Sequence, residues 1–217
     1  MDGSEIRRPA PHIDNNIAQA KRPGLRAEKK DALRGRIVDE LVALIAEGRF
    51  DISHDLIAER AGVGRRTAYR YFPDRESLLQ AAWDRITSMA GPGVNFPGSE
   101  ADLLGSLRDI HTGFDRIAPL ATLVRSTPQG RAVRASQNKR RVESYTAAVS
   151  NAVEALSPAD RRLATAMLQV LHTTPWLEMR DVWGMDGEQI AQASGWAIRT
   201  LLADLRARGS RPLSEAP

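Results

Sequence analysis

Apolar residues recur at spacings of three and four along most of the chain, which is the period of a helix with one face against a core. From Ala27 to about Glu47, the positions Ile37, Leu41, Leu44 and Ile45 form such a stripe, and Gly48 stands where a helix C-terminus favours glycine. Phe50 and Ile52 are expected to tuck back onto that face. Ser53 is placed as the N-cap of a second helix, with Asp55 in its first turn and Leu56, Ile57 and Ala61 on its apolar side. Gly62 breaks it. A short third helix is expected from about Gly64 to Tyr71 and is stopped by Phe72-Pro73. Asp74 caps a fourth, which runs to about Ala90.

Residues 91–99, GPGVNFPGS, read as a linker. Beyond it the pattern predicts helices over about 100–117, 119–125, 130–156, 159–180 and 186–207, with Pro175 kinking one of them. Residues 1–28 carry Pro9, Pro11, Pro23 and Gly24 and read as a disordered arm. Its basic end, Lys21, Arg22, Arg26, Lys29 and Lys30, is either a solvated tail or an arm that contacts DNA. The expected division is the arm, a helical head over 29–90, the linker, a body over 100–208 and a disordered tail over 209–217. The fold class is all-α: an N-terminal three-helix helix-turn-helix domain followed by a C-terminal helical domain.

Composition narrows the chemistry. The 217 residues are 42% hydrophobic but 5% aromatic, so aliphatic side chains must do most of the packing. The net charge of +4 permits an anionic partner without requiring one. The cations gather at 21–30, 65–75 and 131–141. Cysteine is absent, which excludes disulfides, thiolate metal sites and cysteine nucleophiles. No signal-peptide core precedes the first helix, and no apolar run reaches the roughly 20 residues that span a bilayer. A cytoplasmic protein with no membrane partner is expected. Catalytic Gly-x-Ser-x-Gly, phosphate-loop and His-Glu-x-x-His patterns are missing, so neither an enzyme nor a cofactor is expected. His111 and Asp115 stand at metal-ligand spacing, but a lone pair of this kind is more often structural, and no metal is assigned.

The most informative segment is Leu56-Ile57-Ala58-Glu59-Arg60-Ala61-Gly62-Val63-Gly64-Arg65-Arg66-Thr67-Ala68-Tyr69. Two short helices joined by a tight glycine turn form a helix-turn-helix. Ala58 is small where the helices cross, Gly62 supplies the turn, and Val63 and Ala68 fill the angle. Arg65, Arg66, Thr67, Tyr69 and Arg70 are left facing outward, and these types hydrogen-bond phosphates and base edges.

Residues 33–83 resemble the DNA-binding domain of the TetR/AcrR family. The resemblance is carried by Ile57-Ala58, Ala61-Gly62-Val63, Thr67-Ala68-Tyr69, Tyr71-Phe72 and Glu76-Ser77-Leu78-Leu79. It implies that Ser53, Tyr69, Tyr71 and Arg75 contact phosphates, and that Arg65, Arg66, Thr67 and Arg70 approach bases or flanking phosphates. For Tyr69 the ring also reads as partly core with its hydroxyl free. Gly64 stands where the family has Ser or Thr, so the recognition helix lacks a side-chain cap. Arg75 replaces a usual Lys, and Arg66 a small residue, which changes the geometry of any carried-over contact.

The resemblance further implies a repressor that binds double-stranded operator DNA as a homodimer and senses a small-molecule effector in its body. Leu163, Met167, Val170, Leu171 and Thr174 form one apolar stripe. Ile190, Ser194, Ala197, Leu201 and Leu205 form another, and Gly195 is expected to let a partner helix approach. The expected ligand pocket is Leu107, Ile110, His111, Phe114, Tyr145, Val149, Met167, Leu171, His172, Trp176 and Met179, each of which could equally be core. The alternative function is an architectural or protein-docking helix-turn-helix module without a ligand response.

Overall fold

The structure, a computed structural model, describes residues 25–49 and 52–215. The basic arm up to Gly24 and Phe50 lie outside the described residues. Four helices build the head: α1 (Leu25–Ala46), α2 (His54–Arg60), α3 (Arg65–Tyr71) and α4 (Arg75–Ala90). Local signals set their ends. The Ser53 hydroxyl accepts from Leu56 N at 3.2 Å, and the Asp74 carboxylate accepts from Ser77 N at 2.8 Å. Gly62 turns the chain between α2 and α3 at φ +62°, a conformation that side chains resist. Arg60 braces α2 against α1 through Glu47 at 2.7 Å and Glu40 at 3.1 Å.

The body comprises α5 (Glu100–Gly105), α6 (Leu107–Arg116), α7 (Ala118–Ser126), α8 (Pro128–Ala135), α9 (Asn138–Ala148), α10 (Ser150–Val153), α11 (Pro158–Thr173), α12 (Pro175–Trp183) and α13 (Gly187–Arg208). No strand occurs among the described residues. Three expected long helices are broken. The 130–156 segment is interrupted near Gln137 and at Val149, where no glycine or proline announces a stop. The Gln137 side chain is buried and donates to Gln80 of α4, a tertiary contact that sequence periodicity does not carry. Pro175 ends a helix instead of kinking it: it opens α12 from the first turn, where its missing N–H costs nothing. The 100–117 segment divides at Ser106. Residues 209–215, read from sequence as part of a disordered tail, fold back on α13. Arg208 Nη1 donates to Pro212 O at 2.8 Å, and Leu213 packs on the body core.

The head and body share one core. Ile37, Leu41, Ile45, Phe72, Leu78 and Ile86 of the head cluster with Leu120, Val124 and Val133 of α7 and α8. The halves meet through several helix pairs: α1 packs on α7, and α4 packs on α6 and α8. The 91–99 segment is folded against the body: Phe96 lies 5.8 Å from Trp83 and 6.5 Å from Tyr145, ring to ring.

A second core joins α6, α9, α10, α11 and α13 through Leu107, Tyr145, Val149, Leu168, Ile198 and Leu202. Gly195 belongs here. A Cβ on it would stand 3.3 Å from Leu107 Cδ1, so its small size serves the crossing of α13 with α6 of the same chain and not the approach of a partner. Ile190, Ser194 and Leu205 likewise face inward.

Candidate nucleic-acid interface and body cavity

The short α3 has Ala68 buried and Arg65, Arg66 and Arg70 exposed, with Thr67 half-buried. Its N-cap, Gly64, makes no side-chain cap, as the sequence implied. Arg65 pairs with Asp55 at 2.9 Å, but both side chains are more than half exposed. Such a pair contributes little and leaves the guanidinium available to an anion. Tyr69 is 39% exposed and its ring stacks on His54 at 4.4 Å, while His54 Nε2 donates to the Phe72 carbonyl at 3.0 Å. The ring is thus held from behind, and its edge remains open. Tyr71 is half-buried against the head core with Arg70 stacked on it, and Arg75 is exposed beside Ile52 O.

Ser53, Tyr69 and Arg75, which come from three different elements, line one surface cleft of about 270 Å³ together with His54. Sequence reasoning missed His54. Its position in the first turn of α2 gives no sign that it backs Tyr69, because that contact depends on how α2 crosses α3.

The body holds a cavity of about 360 Å³ between α4, residues 91–96 and α6–α9. Trp83, Ile86, Phe96, Ile110 and Phe114 supply apolar wall, and Arg125, Arg134, Arg140 and Arg141 supply positive charge. Of the pocket residues expected from sequence, Ile110 and Phe114 line this cavity. Leu107, Tyr145 and Val149 are packed in the second core. Trp176 is buried beside Ile190, its Nε1 donating to Asp115 at 2.7 Å, and Met179 packs on the same cluster. Leu171 is half-buried against the second core, and Met167 is 52% exposed on the surface.

His111 and His172 are fully buried outside the cavity lining. His172 bridges Tyr145 Oη at 2.6 Å and Ser106 Oγ at 3.1 Å. The Ser106 hydroxyl donates to Asp102 O at 2.7 Å, so His172 Nε2 carries the proton and Nδ1 accepts from Tyr145. Burial pushes the His172 imidazole down to about 4. Burial, aided by His172 and Arg125, pushes His111 down to about 3, and neither of its ring nitrogens has a hydrogen-bond partner among the described residues. Asp115 accepts from Trp176 and from Gly187 N at 2.6 Å, which makes it a brace for the start of α13. No cluster of potential metal ligands occurs among the described residues.

Sequence reasoning also passed over the cavity arginines. The available signal was charge without compensation: between Asp115 and Glu143 there is no acidic residue, while Arg116, Arg125, Arg131, Arg134, Lys139, Arg140 and Arg141 all fall there.

The fold and the outward face of α3 define a helix-turn-helix head on an all-helical body. Residues 37–82 match the family described as bacterial regulatory proteins, tetR family. It is similar to the HTH-type transcriptional repressor KstR of Mycolicibacterium smegmatis, 35% identical over 71 residues, which are 32% of this chain and 35% of KstR. The chain thus matches that curated relative over about a third of the relative's length. A crystal structure of RolR in complex with the ligand resorcinol aligns with 88% of this chain and 99% of its own, at 24% identity and a TM-score of 0.43. No helix among the described residues is long and apolar enough to cross a membrane.

Proposed function

We propose that the protein is a sequence-specific, homodimeric repressor released from operator DNA by a small molecule bound in the body cavity. The observation that carries this reading is the exposed basic face of α3 on a tetR-family head. Arg66 and Arg70 have no acidic partner among the described residues, and the cleft of Ser53, Tyr69 and Arg75 lies beside that face. Arg65, Arg66, Thr67 and Arg70 approach base edges or flanking phosphates, and Ser53, Tyr69, Tyr71 and Arg75 fix the head on the backbone.

Dimerisation follows from surface chemistry. The α11 helix exposes Leu163, Met167 and Val170 along one stripe, and its neighbour α13 exposes Trp196 at 68%. Exposed large apolar side chains gathered along a helix in this way favour an interaction site. Two heads are also what a near-palindromic operator requires.

Arg75→Ala is expected to weaken binding to every duplex alike and to lower the salt slope by about 1, whereas Arg66→Ala should cost about 1–3 kcal/mol and relax the preference for particular bases. Binding each variant to a selected duplex and its point variants measures this. A changed preference in Arg75→Ala with none in Arg66→Ala would reverse the assigned docking.

The ligand response rests on the position of the cavity. Trp83, Ile86, Thr87 and Ala90 of α4 form one wall, and α4 carries the head. An occupant that prefers one separation of α4 from α6–α9 biases the spacing of the two recognition helices. By linkage, operator must weaken ligand binding by the factor with which ligand weakens operator binding. Ligand affinity measured with and without operator tests this. Equal affinities for a molecule seated in the cavity would leave the body without a signal to the head.

A further inference from the structure

We propose that the body cavity takes an organic anion, its oxyanion received by Arg125, Arg134 and Arg141 and its apolar body by Trp83, Phe96 and Phe114. This rests on the ligand-responsive reading of the cavity and specifies the chemistry of the occupant.

Four arginines line one cavity of about 360 Å³. None of them pairs with a carboxylate of the described residues. Asp84 lies on the cavity wall, exposed, and its carboxylate accepts from Gln80 at 3.0 Å. Arg125 donates Nη2 to Thr173 O at 2.7 Å and lies 4.7 Å over the Phe114 ring. Arg141 donates to Arg134 O at 3.2 Å and to Asn138 at 2.6 Å, and lies against the stacked Trp83 and Phe96 rings, 5.7 and 5.3 Å from their centroids. Arg134 makes no side-chain hydrogen bond or ion pair among the described residues, yet burial holds its guanidinium below the usual range. Burial together with Arg134 and Arg141 lowers Arg125 to about 9.

Clustered, partly buried like charges without counter-charge destabilise a fold. Hydrogen bonds to carbonyls and contacts with ring faces do not neutralise them. An oxyanion does, and the planar fork of arginine matches carboxylate and phosphate geometry. The rings that flank these arginines, Trp83, Phe96 and Phe114, supply the apolar lining for the rest of the molecule. A neutral ligand would enter this cavity without meeting its charge, so selectivity for the anion follows from the lining.

The test uses the full-length protein and a panel of acids, each with its neutral amide: benzoate, 4-phenylbutyrate, 2-naphthoate and decanoate. 2-Naphthyl phosphate with 2-naphthol serves as the phosphate arm. Calorimetry and Trp fluorescence report binding, and operator release is read in parallel. At least one anion is expected to bind about tenfold or more tightly than its neutral partner, because a charge-assisted bidentate contact is lost in the latter. Arg134→Met is expected to bring the pair to within about threefold, a difference near the limit of what such affinities resolve, with the melting temperature of the free protein unchanged or raised. Arg125→Met provides a second variant with the same expected loss. The proposal is overturned if neutral compounds bind as tightly as their anions, if the preference survives in both variants, or if no anion of the panel binds. A carboxylate preference and a phosphate preference both support it and identify the source of the oxyanion. Release of operator by a neutral partner as efficiently as by its anion removes the anion site and leaves the ligand-responsive reading standing. Tight anion binding without any effect on operator does the reverse.

Discussion

The double substitution Met167→Glu, Trp196→Glu is expected to give a folded monomer that binds operator about a hundredfold or more weakly than the parent, the scale on which linked sites lose avidity when separated. Both side chains are more than half exposed in the isolated chain, 52% and 68%, so neither supports the protomer core. Circular dichroism and melting temperature should therefore change little. At a self-complementary interface each mutation is felt twice, because the same patch faces itself across a two-fold axis. Four buried carboxylates without partners would then stand in an apolar contact, a cost well above what such a contact gains. Each head alone still carries Arg65, Arg66 and Arg70, so weak, strongly salt-dependent binding should persist. Gly195→Leu is a poor probe of the same question. Its side chain would strike Leu107 within the protomer and unsettle the α6–α13 crossing before any partner is involved. Light scattering that shows a monomer for the unmodified protein at micromolar concentration would remove the interface.

Acid is expected to unfold the protein through its two buried imidazoles. His111 and His172 are lowered to about 3 and about 4, against 6.5 for the free side chain. A base whose folded value is depressed contributes stability above its unfolded value and loses it as pH falls toward the folded one. Between pH 6.5 and about 4 the unfolded chain binds two protons that the folded chain refuses. Each costs about 1.4 kcal/mol per pH unit once its unfolded form is protonated, so the fall from pH 6 to 4.5 removes roughly 3 kcal/mol. That is a large part of the stability of an ordinary domain. Glu47 and Asp74, whose carboxylates are held low by Arg60 and by the Ser77 amide, add to the loss further into acid. His111→Leu should flatten the upper part of the profile by about half and raise stability at pH 7 by about 1–2 kcal/mol, because it removes a ring with two unpartnered nitrogens. Urea unfolding across pH 4.5–7.5 measures both. A profile flat above pH 5 would mean that these imidazoles reach solvent protons in the folded state.

What could be read from sequence divides along the range of the forces involved. Ser53, Asp74 and Gly62 were legible because a cap or a positive-φ turn is decided by neighbours three or four residues away. The inward Ala68 and outward Arg65, Arg66 and Arg70 were legible for the same reason: a seven-residue helix has one face to bury. The exposed Leu163, Met167 and Val170 follow from period alone, but the inward turn of Gly195 and Ser194 does not. Both faces of α13 carry apolar or small residues, and only the position of α6 decides between them. The cavity was the least legible feature. Aromatic and aliphatic side chains such as Tyr145, Trp176 and Val149 suit a pocket wall and a core equally, and here they pack into cores. The residues that distinguish the cavity are arginines from α7, α8 and α9, brought together by breaks near Gln137 that depend on a tertiary contact with Gln80.

Selection of bound duplexes from random DNA, followed by salt titration of the best sequence, is the most direct measurement. Two half-sites in inverted orientation, about 34 Å or one helical turn apart, are the expected result, as two recognition helices held on one dimer demand. Affinity for that duplex should fall steeply with salt as Arg and Lys contacts release counterions. Recovery of no enriched sequence, with equal affinity for random and selected duplexes, would contradict a sequence-specific operator-binding regulator and leave an architectural or protein-docking role for the head.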